Sequence, residues 1–362
     1  MYSRLLLPVC FVLLSAAAFA QSTGNAVAPA YKVVPDWLTL PEGRTEIGSM
    51  HGDVAVSSTG DVYISVEGTV RQRYAILGPN PGLQVYAPDG KFLRNVPNAP
   101  FDLHGFIIHK EPAGEFIYAT RLAAGPSQPE QARAGLDKQA ILKMTLDGNV
   151  VLAIPASRIP DQFKNKTDDG RAFMRLTGLT VAPNGDIYAT DGYASDYVHR
   201  FDRSGKYLSS FGGKSGPYGF KTLHRIAIDS RFSPARIIAV DRANNRVVHL
   251  SLDGEFLGVI ATDMLLPAAL AIRGDYVAIA ELKGQVTLLD KAGKVVVVLG
   301  ANAAADEVGV NRTEPLKWRP GIFTAPHGIA FSDQGDIFVS EFNLFGRVHR
   351  FNLQPSNVAR QR

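Results

Sequence analysis

The chain has almost no cysteine: its one cysteine, Cys10, lies in the first apolar stretch. A chain without further cysteines cannot form an internal disulfide, use a thiol nucleophile or bind a metal through sulfur. Lysine and arginine form no run of five or more and the formal net charge is only +4, so no nucleic-acid partner is expected. Beyond the N-terminus, no apolar stretch reaches the roughly 18 residues that a membrane-spanning helix needs.

The N-terminus has the pattern of a secretory signal peptide. Residues 1–4 carry one positive charge, residues 5–19 are almost wholly apolar, and Ala18 and Ala20 form a small-x-small cleavage site. We therefore expect residues 1–20 to be removed on export to a bacterial periplasm or to the exterior. A retained N-terminal anchor is the alternative.

One sequence unit recurs through the rest of the chain. Each unit has an apolar strand, a turn and a second strand of the type Asp-Ile-Tyr-Ala-Thr, followed in most units by a third strand and an Asp-x-x-Gly turn. The second strands fall at residues 61–65, 116–120, 186–190, 236–240, 276–280 and 336–340. Four short strands per unit, repeated six times, predict an all-β fold, a six-bladed β-propeller.

The last unit ends before its fourth strand. We expect residues 31–40 to supply that strand, because an N-terminal strand paired into the final blade closes the ring and protects its edges. The prediction is one domain over residues 21–362, with blades over roughly 31–355. Residues 123–138, 156–175 and 302–323 interrupt the repeat and are expected to form long loops near the channel mouth.

Three histidines occupy equivalent positions in alternate units. The first residues of the six innermost strands are Gly52, His104, Thr177, His224, Ala268 and His327. Because alternate blades are about 120° apart around the axis, the three imidazoles would converge with small residues between them. Three protein nitrogens and an open position are typical of a catalytic zinc site, and iron, copper or nickel would also be accommodated.

Further residues are expected at the same mouth, because the second strand of each blade returns to it. Tyr193 could serve as a general acid or base there, and Arg242 could bind a carboxylate in bidentate fashion. His51, one residue out of register with His104, is a further candidate for this site. The other candidates are Glu67, Arg121, Asp191, Asp241, Glu281 and Glu341. The third-strand histidines are expected in blade packing or at the surface: His199, His249 and His349.

The segments at 191–201, 211–213, 223–228, 240–246 and 325–331 resemble the NHL-repeat propeller of peptidyl-α-hydroxyglycine α-amidating lyase. The resemblance is best over residues 176–260 and 324–351. It implies a zinc ion held by the three alternating histidines, a catalytic Tyr193 and a carboxylate-binding Arg242. The implied reaction splits R-CO-NH-CH(OH)-COOH into an amide and glyoxylate.

Several positions depart from the pattern of that family. Glu67 stands where the family has a second functional arginine, and it would repel a substrate carboxylate unless Arg71, Arg73 or Arg121 compensates. Gly328 stands where an acid would help to hold a structural calcium, so the resemblance does not extend to calcium. The disulfides of the family are also absent.

These patterns leave three functional hypotheses. The leading one is a metal-dependent lyase of the amidating type, acting on a small or peptide-derived substrate. A metal-dependent hydrolase is the second, although known six-bladed lactonases bind their metal through acidic residues and asparagine. A non-enzymatic periplasmic binding or scaffold propeller is the third, and it needs no converging histidines. We expect a monomer under each hypothesis.

Overall fold

The computed structural model describes residues 28–66, 82–100, 102–122 and 140–355. Strands dominate, and short 3₁₀ turns lie at Ala156–Arg158, Asp161–Phe163, Arg242–Asn244 and Pro315–Lys317. Over the described ranges no helix is long and apolar enough to cross a membrane. The predicted signal peptide, the predicted loop at 123–138 and three candidate site residues lie outside the described residues: Glu67, Arg71 and Arg73.

Six four-stranded antiparallel sheets form the blades of a propeller, which confirms the prediction from the repeat. Blade 1 contains β2 (Val54–Val56), β3 (Val62–Val66), β4 (Gly82–Tyr86) and β5 (Phe92–Asn95). Blade 2 contains β6 (Leu103–Glu111), β7 (Gly114–Arg121), β8 (Ile141–Thr145) and β9 (Val150–Ile154). A small hairpin, β10 (Asn165–Lys166) and β11 (Ala172–Phe173), leads into blade 3.

The remaining blades repeat the same strand order. Blade 3 contains β12 (Gly178–Val181), β13 (Ile187–Thr190), β14 (Tyr197–Phe201) and β15 (Tyr207–Gly212). Blade 4 contains β16 (Leu223–Asp229), β17 (Arg236–Asp241), β18 (Arg246–Ser251) and β19 (Phe256–Ala261). Blade 5 contains β20 (Pro267–Arg273), β21 (Tyr276–Glu281), β22 (Gln285–Leu289) and β23 (Val295–Leu299). Blade 6 contains β24 (Pro326–Phe331), β25 (Ile337–Glu341), β26 (Val348–Leu353) and β1 (Tyr31–Val34).

The N-terminal strand completes the last blade. β1 pairs antiparallel with β26, with Tyr31 opposite Leu353 and Val34 opposite Arg350. This pairing was expected from the missing fourth strand of the last unit and is confirmed. The innermost strand of each blade contacts those of both neighbours, from blade 1 round to blade 6 and back, so the ring is continuous.

The core is divided among the interfaces between neighbouring blades. Each of the six interfaces holds its own cluster of buried apolar side chains. The second strands β3 and β13 are buried at every residue, because a blade is covered on both faces by its neighbours. The outermost strand β5 instead alternates half-buried and exposed residues, as a strand at the rim must.

Candidate metal centre

The three alternating histidines lie at irregularities in strand pairing. The register between the first and second strands shifts around His104 in β6, around His224 in β16 and around His327 in β24. An extra residue in one strand of an antiparallel pair bends that strand and re-aims its side chain. The same shift occurs around Ala268 in blade 5, so it belongs to the mouth position of several blades and not to the histidines alone.

The three imidazole rings meet at one point and are almost fully buried. The ring centroids of His104 and His224 are 5.0 Å apart, those of His104 and His327 5.0 Å, and those of His224 and His327 4.9 Å. Their exposed fractions are 1%, 0% and 1% respectively. The convergence expected from alternate blades is therefore present in the structure.

A repeated hydrogen bond fixes the orientation of each ring. The Nδ1–H of His104 donates to the carbonyl of Thr177 at 2.6 Å, that of His224 to Ala268 at 2.5 Å, and that of His327 to Gly52 at 3.1 Å. Each acceptor is the equivalent mouth residue of the next blade. A carbonyl at Nδ1 sets the tautomer and leaves the Nε2 lone pair free, as metal-binding histidines require.

The remaining ring nitrogens are suited to a metal ion. The Nε2 atoms of His104 and His327 are buried and have no hydrogen-bond partner among the described residues. Burial lowers the pKa of all three imidazoles well below the ordinary value, and the surrounding positive groups lower it further. Neutral imidazole is the form that binds metals. This donor set fits a divalent transition metal.

His51 makes a second possible trio of ligands. Its ring centroid is 4.9 Å from those of both His104 and His327, and one nitrogen from each of these three residues lies within 4.8 Å of the others. His51 is half-buried, and Phe342 packs against it with ring centroids 4.3 Å apart. His51 therefore lies at the mouth, as its place in the sequence suggested, and close enough to share the metal.

Tyr193 lies against the histidine cluster. Its hydroxyl is 3.0 Å from Nε2 of His224 and 3.2 Å from Nε2 of His51, and Nη1 of Arg242 donates to it at 3.1 Å. The preceding Gly192 permits this approach, because a Cβ there would lie 2.1 Å from the carbonyl oxygen of Leu223. The structure thus brings Tyr193 and Arg242 to the histidines, as the sequence suggested.

Four carboxylates at the ends of second strands, in blades 3 to 6, do not line the histidine cluster. They bind the main chain of the segment that enters their blade from the preceding one. All four are buried. Each accepts a main-chain N–H from a residue just before the mouth position of its own blade, where the connection from the preceding blade arrives. The pairs are Asp191 with Arg175, Asp241 with Lys221, Glu281 with Leu265, and Glu341 with Thr324. Their place on this face agrees with the prediction from the strand order, but their structural role was not predicted.

Arg121 and the third-strand histidines are committed to other contacts. Arg121, at the end of β7, forms an ion pair with Asp102 at 2.7 Å, so its charge is partly neutralised within blade 2.

The three third-strand histidines are buried and hydrogen-bonded within their blades, which agrees with blade packing and not with a surface position. Their partners are Ser210 for His199, Asp229 for His249 and Glu341 for His349.

A buried ion pair lies directly after the mouth residues, and the sequence analysis missed it. Nη2 of Arg225 is 2.8 Å from Oδ2 of Asp53, and Nη1 of Arg225 donates at 2.7 Å to the same Thr177 carbonyl that orients His104. A Cβ at Gly105 would lie 1.8 Å from Nη1 of Arg225. Glycine at position 105 leaves the space that the guanidinium occupies. The signal in the sequence was a charged residue directly after the mouth position in blades 1 and 4, together with a glycine at the same place in blade 2.

The glycine at position 328 is also explained by close packing. A Cβ at this position would lie 2.4 Å from Oγ of Ser340 and 2.5 Å from Oδ1 of Asp53. A side chain therefore does not fit without movement of its neighbours. The buried carboxylate at this level comes from blade 1, and its partner is the guanidinium of Arg225.

Comparison with known proteins gives a limited sequence relation and a broad structural one. No protein-family model matches the chain. Peptidyl-alpha-hydroxyglycine alpha-amidating lyase 1 of Drosophila melanogaster is 26% identical over 218 residues, which is 54% of this chain and 38% of that protein. The chain thus covers well under half the length of this curated relative, which it resembles.

Solved structures similar to the chain are propellers of proteins with different functions. Virginiamycin B lyase from Staphylococcus aureus has a TM-score of 0.52 at 15% identity, over 90% of this chain and 100% of that one. A gluconolactonase from Xanthomonas campestris has a TM-score of 0.54 at 10% identity, over 91% and 96%. An auxiliary nutrient binding protein from Bacteroides thetaiotaomicron has a TM-score of 0.56 at 11% identity, over 90% and 77%. At these identities the likeness supports the fold alone.

Proposed function

We propose that the chain is an exported metal-dependent carbon–nitrogen lyase that splits a carbinolamide, R-CO-NH-CH(OH)-COO⁻, into an amide and glyoxylate. The observation that carries the proposal is the Tyr193 hydroxyl, which lies between His224 and Arg242 beside buried, unpartnered imidazole nitrogens. The partial sequence likeness to an amidating lyase supports the same reaction class. Periplasmic or secreted location follows from the signal-peptide pattern of residues 1–20.

His104, His224 and His327 would hold the metal ion, which we propose to be zinc. They are favoured over the trio with His51 because all three share the same orienting bond from Nδ1 to a carbonyl. A metal held by neutral imidazoles keeps its full charge and supplies Lewis acidity toward a substrate oxygen. Calcium has no place in this proposal.

Tyr193 is the residue placed to move a proton at the substrate. In the reaction, the carbinol hydroxyl loses its proton, the C–N bond breaks with its electron pair passing to nitrogen, and that nitrogen takes up a proton. Arg242 donates to the Tyr193 oxygen, and the Tyr193 hydroxyl faces Nε2 of His224 at 3.0 Å. A metal ion held at that Nε2 would use its lone pair, so the phenol O–H would be left to face a substrate oxygen. A substrate hydroxyl that replaces this contact would meet the phenol oxygen directly.

Arg242 is placed to hold the carboxylate of the substrate. One of its five N–H groups contacts Tyr193, and the others can form charge-assisted hydrogen bonds. Within the described part of the chain it has no acidic partner at ion-pair distance. Anchoring the carboxylate beside Tyr193 would present the carbinol carbon to the histidine cluster.

Glyoxylate release from α-hydroxyhippurate by the purified mature protein tests the proposal. Tyr193→Phe should lower kcat by roughly 10²- to 10⁴-fold, the usual contribution of a general acid or base. Bound metal should be close to one equivalent in the wild type and absent from the variant with His104, His224 and His327 all changed to alanine. Unchanged turnover in Tyr193→Phe would contradict its role. Opening of a lactone without glyoxylate release would favour the hydrolase hypothesis instead.

A further inference from the structure

Tyr193 has two arginines beside it, and the proposed function uses only one of them. The guanidinium carbon of Arg242 lies 5.0 Å from the centroid of the Tyr193 ring, and that of Arg175 lies 5.3 Å from the same centroid. Arg175 comes two residues before the mouth position of blade 3, on the connection that enters from blade 2. Arg175 is not among the residues predicted for this site from the sequence.

The main chain of Arg175 is held firmly at this place. Its N–H donates to Oδ1 of Asp191 at 2.5 Å, and its carbonyl accepts the N–H of Tyr193 at 3.3 Å. The Asp191 carboxylate is further fixed by Ser195, whose N–H and hydroxyl both donate to Oδ2. The turn that positions Tyr193 therefore also positions Arg175, and the two side chains keep a defined relation.

The guanidinium of Arg175 contacts the Tyr193 ring but has no ion-pair partner among the described residues. Its Nε is buried and has no hydrogen-bond acceptor, and no carboxylate among the described residues pairs with Arg175 or with Arg242. The acidic residues next to Tyr193 and Arg242 in the chain already have other partners: Asp191 accepts hydrogen bonds from main-chain groups, and Asp241 forms an ion pair with Arg246. Two half-buried guanidinium groups, 5.0 and 5.3 Å from the centroid of one ring, add positive charge beside Tyr193, which favours the binding of an anion there.

We infer that Arg175 is a second carboxylate-binding residue, which acts with Arg242 on one anionic group beside Tyr193. This inference rests on the proposed function for the identity of the substrate, an N-acyl-α-hydroxyglycine, but its charge argument does not depend on turnover. A planar guanidinium matches a carboxylate with two parallel N–H donors, and arginine is the side chain best suited to this recognition. The site selects a substrate with a free carboxylate over its ester or amide.

Calorimetric titration with hippurate (N-benzoylglycine), which has the amide and carboxylate but cannot react, tests the inference on the metal-loaded protein. The wild type should bind hippurate at least about tenfold more tightly than its neutral methyl ester. Arg175→Gln should weaken hippurate binding by roughly 10- to 100-fold, the worth of one charged hydrogen-bonding partner, and leave ester binding unchanged. Arg175→Lys keeps the charge and should recover part of the loss.

Arg171→Gln is the matched control, because Arg171 is exposed on the same connection and its removal changes net charge equally. Its hippurate affinity should equal that of the wild type. Equal affinity of wild type and Arg175→Gln, or no preference of the wild type for hippurate over the ester, overturns the inference.

Activity separates failure of this inference from failure of the proposed function. If α-hydroxyhippurate is cleaved, Arg175→Gln should raise KM with a smaller change in kcat, because it removes binding common to substrate and transition state. If no glyoxylate is released but hippurate is preferred and Arg175→Gln loses that preference, the carboxylate site stands and the lyase proposal fails.

Discussion

Removal of the guanidinium of Arg225 should destabilise the folded protein in a pH-dependent way. Arg225 and Asp53 are 3% and 4% exposed, with 2.8 Å between Nη2 and Oδ2. Removing one partner of a buried ion pair costs roughly 3–5 kcal/mol, because the other charge remains buried. In Arg225→Met, the Asp53 carboxyl can instead bind a proton, which at pH 7 costs at most about 4 kcal/mol. We therefore expect a loss of about 3–4 kcal/mol in the free energy of unfolding at pH 7.

The sign of the pH dependence follows from the same residue. Burial raises the pKa of Asp53, and the Arg225 guanidinium opposes that rise. Without the guanidinium, the folded-state pKa is higher still than the unfolded value. The variant is then most stable below the unfolded pKa and loses stability as pH rises through the folded pKa. Because the pKa of Asp53 in the wild type is itself raised to about 6, the deficit should shrink between pH 7 and about pH 6, by up to about 1.4 kcal/mol, and stay level from there to pH 4.

Urea unfolding of metal-free wild type and variant, followed by circular dichroism at several pH values, measures this deficit. The control is Arg94→Met, because Arg94 pairs with the exposed Asp147 at 3.1 Å and an exposed pair contributes about 0–1 kcal/mol. If the deficit of Arg225→Met is below about 1 kcal/mol at pH 7, or does not change with pH, the buried pair is not ionised as described.

Three further predictions concern the site and its supports. His224→Ala should lose bound metal while His51→Ala keeps it, as elemental analysis would show; the reverse result would assign the trio with His51. Gly192→Ala should lower kcat while metal content is kept, because the added Cβ would clash with a backbone carbonyl 2.1 Å away and displace Tyr193. Normal kinetics would show that the turn can relax. Burial opposes ionisation of Glu341, but His349 and other donors lower its pKa from 4.5 to about 2. Ionised Glu341 should therefore contribute about 3 kcal/mol above pH 4.5, lost as pH falls toward 2, and unfolding of Glu341→Gln should lack this acid-side slope.

The fold was predictable because the repeat is regular. Each second strand could be located from its β-branched and aromatic residues, and the missing fourth strand pointed to residues 31–40, of which Tyr31–Val34 form the strand. The convergence of His104, His224 and His327 followed from their alternation around the ring, a matter of symmetry that requires no knowledge of side-chain detail. The centroid separations of 4.9 to 5.0 Å agree with that expectation.

The rest of the site depends on contacts between blades, which a single sequence does not reveal. Arg175 lies in a long connection whose path over the mouth is fixed by a carboxylate from elsewhere in its blade. The Arg225–Asp53 pair joins blades 4 and 1 across the channel, and the two residues are 172 positions apart in the chain. His51 was a candidate for the mouth from its place in the sequence, but its contact with Tyr193 depends on the conformation of the segment before β2, which the sequence does not show.

The seam between blade 6 and blade 1 has a consequence for the order in which the molecule assembles. β1 can pair only with β26, roughly 320 residues further along the chain, so the seam forms after the other blades have been synthesised. The bond from His327 to the carbonyl of Gly52 crosses this seam. The third imidazole is therefore oriented only when the ring has closed, and a chain interrupted between residues 328 and 347 would have every histidine of the trio but no complete site. Metal binding by this trio would consequently be a late step in folding, after synthesis of the whole chain.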